Sequence, residues 1–187
     1  RRREAQITGV FQVTEYPATV QPDQILLTWS DDPRTTQTIQ WRTNTEVTSG
    51  TVRYIEAARA AQAQAADWRE VAASTAPLEN NVVVNDPVCH RHTAVLTGLQ
   101  PGTTYSYAVS DASTRGWSAS AEFTTAPAEP VSFSFIYQGD VQMGFDGWGK
   151  LMETARAKHP EAGFHLLAGE LVNRGNERSY WDSFFHY

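Results

Sequence analysis

One cysteine, Cys89, in 187 residues leaves no partner within the chain for a disulfide framework, and it removes most cysteine-based zinc sites from consideration. Long apolar runs are missing too: none approaches the length that spans a bilayer. Positive charge is in short supply, with 15 Lys and Arg against 21 Asp and Glu and a net charge of −6. That balance argues against general affinity for nucleic acid or a membrane surface. The opening Arg1-Arg2-Arg3-Glu4 has no apolar core behind it, so it does not read as an intact signal peptide. Such a basic arm is a solvated end or the remnant of processing. What the chain does have is 41% hydrophobic and 19% charged residues, the composition of a globular protein with room for one large or two small domains.

Residues 5–125 read as short strands separated by turn chemistry. Segments 7–14, 25–29 (ILLTW), 38–42 (TIQWR), 50–55 (GTVRYI), 91–96, 103–110 and 117–125 carry the pattern, with shorter candidates at 68–72 and 82–84. Regular spacing without helical periods predicts an all-β sandwich over residues 1–126. Trp29 and Trp41 fall on successive strands and are expected as core anchors. The Ala- and Gln-rich stretch 57–67 lacks an apolar stripe and reads as an insertion with a short helix. The segment LTGLQPGTTYSYAVS, residues 96–110, resembles the corner of an immunoglobulin-like or fibronectin type III domain, with Tyr105 as the corner tyrosine.

A Pro-rich linker, 127–130, separates this from residues 131–187. There an apolar run, 133–137, stops at Gly139-Asp140. A helical pattern follows, with Trp148, Leu151, Met152 and Ala155 on one face and Pro160 as its stop. A second apolar run, 164–168, stops at Gly169-Glu170. Strand, helix, strand with short connections predicts two parallel strands. Ligands of open α/β sheets bind at the carboxyl ends of strands, so Asp140 and Glu170 are expected side by side in one crevice. Two such acids repel, which calls for a proton or a cation between them; a hard or borderline divalent metal suits the carboxylates.

The pair GDVQ and GELVNRGNE, followed by YWDSFF, resembles the opening half of the calcineurin-like metallophosphoesterases, in the branch of the purple acid phosphatases. Such enzymes carry a β-sandwich in front of the metal domain, which matches the order here. The resemblance implies a metal-dependent phosphoric ester hydrolase with a dinuclear centre of Fe, Mn or Zn, or a relative in which that centre is empty. Asp140 matches the family's first metal ligand. Glu170 stands where the family has a metal-bridging Asp, one methylene or on the order of 1.5 Å further out. Gln142 takes the place of a metal-binding His, Asn173 that of the Tyr responsible for the purple colour, and Arg174 becomes a candidate phosphate contact. In the family, metals about 3.5–4 Å apart polarise the phosphate and activate the attacking water. The later His-bearing motifs do not appear before Tyr187, so the resemblance implies an incomplete α/β domain over 131–187 and no turnover by this polypeptide alone. It also implies a periplasmic or secreted location.

His90 and His92 share a strand face and read as structural. His159 complements a helix C-terminus, His165 packs within a strand, His186 lies in the tail, and Cys89 is a small buried hydrophobe. The tail carries five aromatics among its last eight residues. Trp181, Phe184 and Phe185 lie at helical spacing, with Ser179 or Asn176 as the expected cap. Such a face needs cover, which predicts a partner: a further half of the domain, another copy, or a different chain. The open alternatives to the enzyme are a pseudoenzyme or interaction module, and a structural subunit assembling through this tail.

Overall fold

The computed structural model describes residues 11–111 and 116–187. The basic opening and the first part of the 7–14 segment lie outside the described residues. Two compact units are present. One holds Ala18–Glu79 and Val88–Val131; the other gathers Asn80–Pro87 and Ser132–Tyr187 with residues 11–17.

The first unit is a β-sandwich of β1 (Asp23–Thr28), β2 (Gln37–Thr43), β3 (Gly50–Glu56), β4 (Arg69–Glu79), β5 (Val88–Leu96), β6 (Thr104–Asp111), β7 (Gly116–Trp117) and β8 (Ala121–Thr124). Pairing runs β1-β2-β5-β4-β3-β6-β7, with β8 also on β6. β4 joins the layers, because residues 69–73 pair with β3 while 74–79 pair with β5. Alternation turns Ile39, Trp41, Ala94 and Leu96 inward from one layer and Val52, Tyr54, Tyr105, Tyr107, Val109 and Phe123 from the other. Tyr105 closes the corner, its hydroxyl accepting the Gln100 N–H at 2.9 Å.

Several sequence expectations are corrected. Trp29 is 47% exposed, since β1 ends at Thr28; Leu27 packs on the core instead, beside the fully buried Trp41. Residues 82–84 form no strand, only a bridge between Val83 and Gln12. The 68–72 candidate begins at Arg69 and continues to Glu79, and the 117–125 candidate divides into β7 and β8. The insertion holds α1 (Ala57–Ala60) and a 3-10 turn, Ala65–Asp67.

Several polar groups in the sandwich are partnered, whereas Trp41 Nε1 and Arg53 Nε make no hydrogen bond. Arg42, 1% exposed, donates from Nε and Nη2 to the two carboxylate oxygens of Asp23, at 2.8 and 2.6 Å. His92 is fully buried, with Nε2 2.8 Å from the Thr43 hydroxyl and Nδ1 2.8 Å from that of Thr75. Burial, with smaller contributions from His90 and Arg91, drags its pKa from 6.5 to about 4. His90 Nδ1 lies 2.8 Å from the Val47 carbonyl. Both rings of the pair are therefore engaged within the sandwich.

The second unit contains β9 (Ser134–Gln138), α2 (Phe145–Lys158), β10 (Ala162–Leu167) and α3 (Arg178–His186). β9 and β10 are parallel. The buried side of α2 is set by Phe145, Trp148 and Met152, spaced i, i+3 and i+7, while Leu151 is exposed. Trp148 stacks on Phe184 with centroids 6.0 Å apart. Phe184 is 6% exposed, and Trp181 and Phe185 pack in the same cluster. Within the unit Phe184 is thus covered, whereas Trp181 and Phe185 stay half-buried and Tyr187 is exposed. Neither Ser179 nor Asn176 caps α3: Glu177 holds the N-cap position without a side-chain bond, and the Ser179 hydroxyl bonds Gln12 Oε1 at 2.8 Å. Arg178, 5% exposed, is held by the carboxylate and the carbonyl of Asp86. Asp182, one turn along α3, stands 3.5 Å from its Nε.

Candidate functional site

The parallel register Tyr137↔Leu166 and Gln138↔Leu167 brings the carboxyl ends of β9 and β10 level. The Ala168 N–H still donates to the Gln138 carbonyl at 2.8 Å, after which both chains turn. Gly169 takes a φ of +75°, and two residues with side chains join the left-handed region, Asp140 at +61° and Gln142 at +52°. Each non-glycine in that region costs on the order of 1 kcal/mol or more. A Cβ on Gly139 would run into the Gly169 carbonyl oxygen, so glycine is needed there for close approach.

These turns bring Asp140, Gln142 and Glu170 together. Gln142 Nε2 donates to Asp140 Oδ1 and to Glu170 Oε2, each at 2.8 Å. Ionised carboxylates only accept, so the amide must present its NH2 end to both. The Gln142 N–H donates to the Glu170 carbonyl at 3.1 Å, and the Asn173 N–H to the Gln142 carbonyl at 3.2 Å. The extra methylene of Glu170 does not carry its carboxylate out of the cluster. Both acids are exposed and Gln142 is half-buried.

The remaining expected residues are engaged elsewhere. Asn173 joins through its backbone. Arg174 Nη1 donates to Glu177 Oε1 at 2.8 Å, and that bond raises its pKa above the usual guanidinium range. His165, on β10, is half-buried with Nδ1 lacking a hydrogen-bond partner, and burial lowers its pKa, with Arg156 adding to the effect. His186 stacks on Tyr16 at 3.7 Å. His159 Nδ1 lies 3.2 Å from Glu161 Oε1, at the C-cap of α2.

The donor set can be weighed against a metal. Two carboxylate oxygens sit at equal distance from one nitrogen whose hydrogens carry partial positive charge. A cation at that place would have two hard oxygen ligands, the chemistry that divalent ions favour. The residues fit part of the shell of one cation. Two cations require more, because no group of three or more His, Cys, Asp or Glu able to hold a metal occurs among the described residues.

The sequence offered a proton or a cation as the answer to repulsion between the acids. The structure supplies a third, the Gln142 amide. Its signal was present as the one strong side-chain donor close behind Asp140. The Arg178–Asp86 pair went unread; only the i, i+4 spacing of Arg178 and Asp182 hinted at it.

The sequence model of one family, described as "Purple acid Phosphatase, N-terminal domain", matches residues 22–125. No curated protein matches. Among solved structures, a computer-based redesign of a β-sandwich protein is 20% identical at a TM-score of 0.37, over 58% of this chain and 96% of that one. The FN1–FN3 domains of chicken CNTN1 are 17% identical at 0.35, over 56% and 30%. The sensor domain of the anti-sigma factor RsgI4 in Pseudobacteroides cellulosolvens is 19% identical at 0.34, over 58% and 99%. Likenesses this slight carry no argument about function.

Proposed function

Because the chain belongs to the family of the purple acid phosphatase N-terminal domain through residues 22–125, we propose that it works as part of a metal-dependent phosphoric ester hydrolase of the acid-phosphatase kind. The sandwich precedes the unit that bears the ligands. Asp140 and Glu170 hold a divalent cation, with Gln142 and Asn173 as further candidates. When bound, such a cation supplies Lewis-acid polarisation of a phosphoryl oxygen. The chain's own share is to fix two carboxylates at one point and to keep that point open, with glycine at 139 and 169. Arg174 contributes positive charge for an anionic substrate. A dinuclear Fe, Mn or Zn centre is the fuller form of the same proposal, its other ligands coming from polypeptide beyond the described residues. A periplasmic or secreted location belongs to the proposal as well. No helix among the described residues is long and apolar enough to cross a membrane.

The observation that carries this reading is the convergence of Asp140 and Glu170 on one nitrogen at the carboxyl ends of two parallel strands. Hydrolysis of an aryl phosphate with added Mn2+, Fe2+ or Zn2+ tests it in the protein as its gene encodes it. Asp140→Asn and Glu170→Gln should each lower the rate at least about a hundredfold, as expected when a metal ligand is lost. Unchanged rates in both contradict the proposal.

A second reading, a module that binds another protein, is favoured by a specific surface. Parallel strands are ordinarily covered on both faces, yet Phe133 is 71% exposed, Tyr137 66% and Phe135 44%. Phe164 stacks on Phe135 at 5.2 Å. The strand pair thus joins the half-buried Trp181 and Phe185 as a face that invites cover. Sizing by light scattering at several concentrations, with and without substitution of Phe133, separates the two readings.

A further inference from the structure

Alternation along β3 turns Val52 and Tyr54 into the sandwich core and Arg53 out of it. There the guanidinium lies between two indoles, its carbon 4.6 Å from the ring centre of Trp68 and 4.8 Å from that of Trp117. All three side chains are half-buried. Ala108, opposite Arg53 on β6, offers only a methyl group and leaves room for the rings. Glu70 stands directly opposite Arg53 on β4, the place from which cross-strand charges usually pair. No ion pair joins them, and among the described residues Arg53 makes no hydrogen bond. Its Nε–H is buried without an acceptor, and burial lowers its pKa, with the charge of Glu70 offsetting part of the effect. Arginine ordinarily turns its planar fork on carboxylates. Here ring faces hold the fork, and the donors at its Nη ends are left unused. A flexible surface arginine must be ordered when it binds an anion; the two indoles have ordered this one in advance.

We propose that the Trp68–Arg53–Trp117 stack is a docking point for an acidic segment of a partner protein, one carboxylate of which accepts hydrogen bonds from the Nη ends while apolar side chains beside it pack on the indoles. Charge sets the occupant: a cation without a counter-ion selects a carboxylate, and N–H groups in one plane match its two oxygens. Tryptophan and arginine are also the residues on which protein interfaces most often hinge. An extended segment suits the outer side of a sheet, because alternate side chains point the same way, one toward the guanidinium and the next of that row toward an indole. Glu70 is the chain's own competitor, near enough to influence the guanidinium and not bonded to it. The inference concerns the sandwich alone and stands whether or not Asp140 and Glu170 hold a metal.

Titration of the full chain with a short peptide of alternating Glu and Val, followed by the indole N–H signals in a 15N correlation spectrum, tests the proposal. The signals of Trp68 and Trp117 should shift together and saturate, while that of Trp41 in the core stays fixed. The counterpart peptide of alternating Gln and Val should leave all of them unmoved. Arg53→Lys keeps the charge without the planar fork and should bind the acidic peptide at least about tenfold more weakly. Glu70→Gln removes the competing charge and should bind it about twofold or more tightly. Equal affinity for the Gln–Val peptide, or an Arg53→Lys chain that binds as the native one does, overturns the proposal. Tighter binding of polygalacturonate than of the peptide overturns it too, since the stack would then be a site for acidic sugars. The spectrum of the native chain decides the matter even if the Arg53 variant does not fold: Trp68 and Trp117 signals unmoved at millimolar acidic peptide contradict the docking point.

Discussion

His92 and Gln142 are each tied to two partners by bonds of 2.8 Å, and they do opposite things with them. His92 lies in the sandwich, without exposure, between two neutral hydroxyls on β2 and β4. Its bonds satisfy a ring that burial would otherwise penalise, and they fix one packing of the core. Gln142 lies in the second unit, between two charged groups in contact with solvent, on backbone that regular structure would not choose. Its bonds join two side chains at the ends of neighbouring strands. Buried, fully partnered polar groups mark where the chain commits to a fold. Exposed, charge-facing groups on strained backbone mark where it is available to a ligand.

The contrast can be broken at its strongest point first. Trp41→Ala empties the centre of the sandwich and should cost about 4–5 kcal/mol, read as lost hydrogen-exchange protection across β2, β3, β5 and β6. Retained protection there would show that the core does not depend on its largest side chain. Asp86→Ala leaves Arg178 buried without its principal partner and should cost about 3–4 kcal/mol. The rise in exchange should appear in α3; a rise confined to β2 and β5 would contradict the assignment of residues 80–87 to the second unit.

Proton linkage sharpens the comparison next. His92 titrates near 6.5 when unfolded and about 4 when folded. Between those values the unfolded chain holds more protons, so stability is complete above pH 6.5 and falls as pH drops through the window. The loss by pH 4 is about 3 kcal/mol, measured by urea unfolding of the sandwich, and His92→Gln should flatten the profile. The smallest effect belongs to the open face of the strand pair: Phe135→Ser should change stability by less than about 0.5 kcal/mol, while slowing self-association in light scattering. A cost of several kcal/mol would mean that Phe135 is covered.

Much of the sandwich was legible because its signals are local. Alternation in TIQWR and GTVRYI gave β2 and β3, and the corner around Tyr105 is set by chemistry within ten residues. The paired Gly-acid turns were legible for the same reason: a strand stops where glycine permits a turn and a carboxylate prefers water. What escaped depends on partners distant in sequence. β4 was read as ending near Ala72 because AASTAPLE has weak β-propensity, yet pairing with β3 through Ala73 and then with β5 holds it as strand through Glu79. Trp29 looked like its neighbour Trp41 until the end of β1 left it outside. The cover that Phe184 finds was not legible because helix-on-helix contacts such as Trp148–Phe184 leave no periodic trace. At the site, residue types announced the two acids. Only the left-handed turns at Asp140 and Gln142 brought the amide between them, and nothing in the letters predicts such angles outside glycine.

The most direct measurement is an anomalous difference map from crystals of this chain grown with Mn2+. A peak within about 2.0–2.6 Å of carboxylate oxygens from both Asp140 and Glu170 is the expected result. Saturating Mn2+ with no peak between those two side chains, and Gln142 still bonded to both, would contradict the cation site.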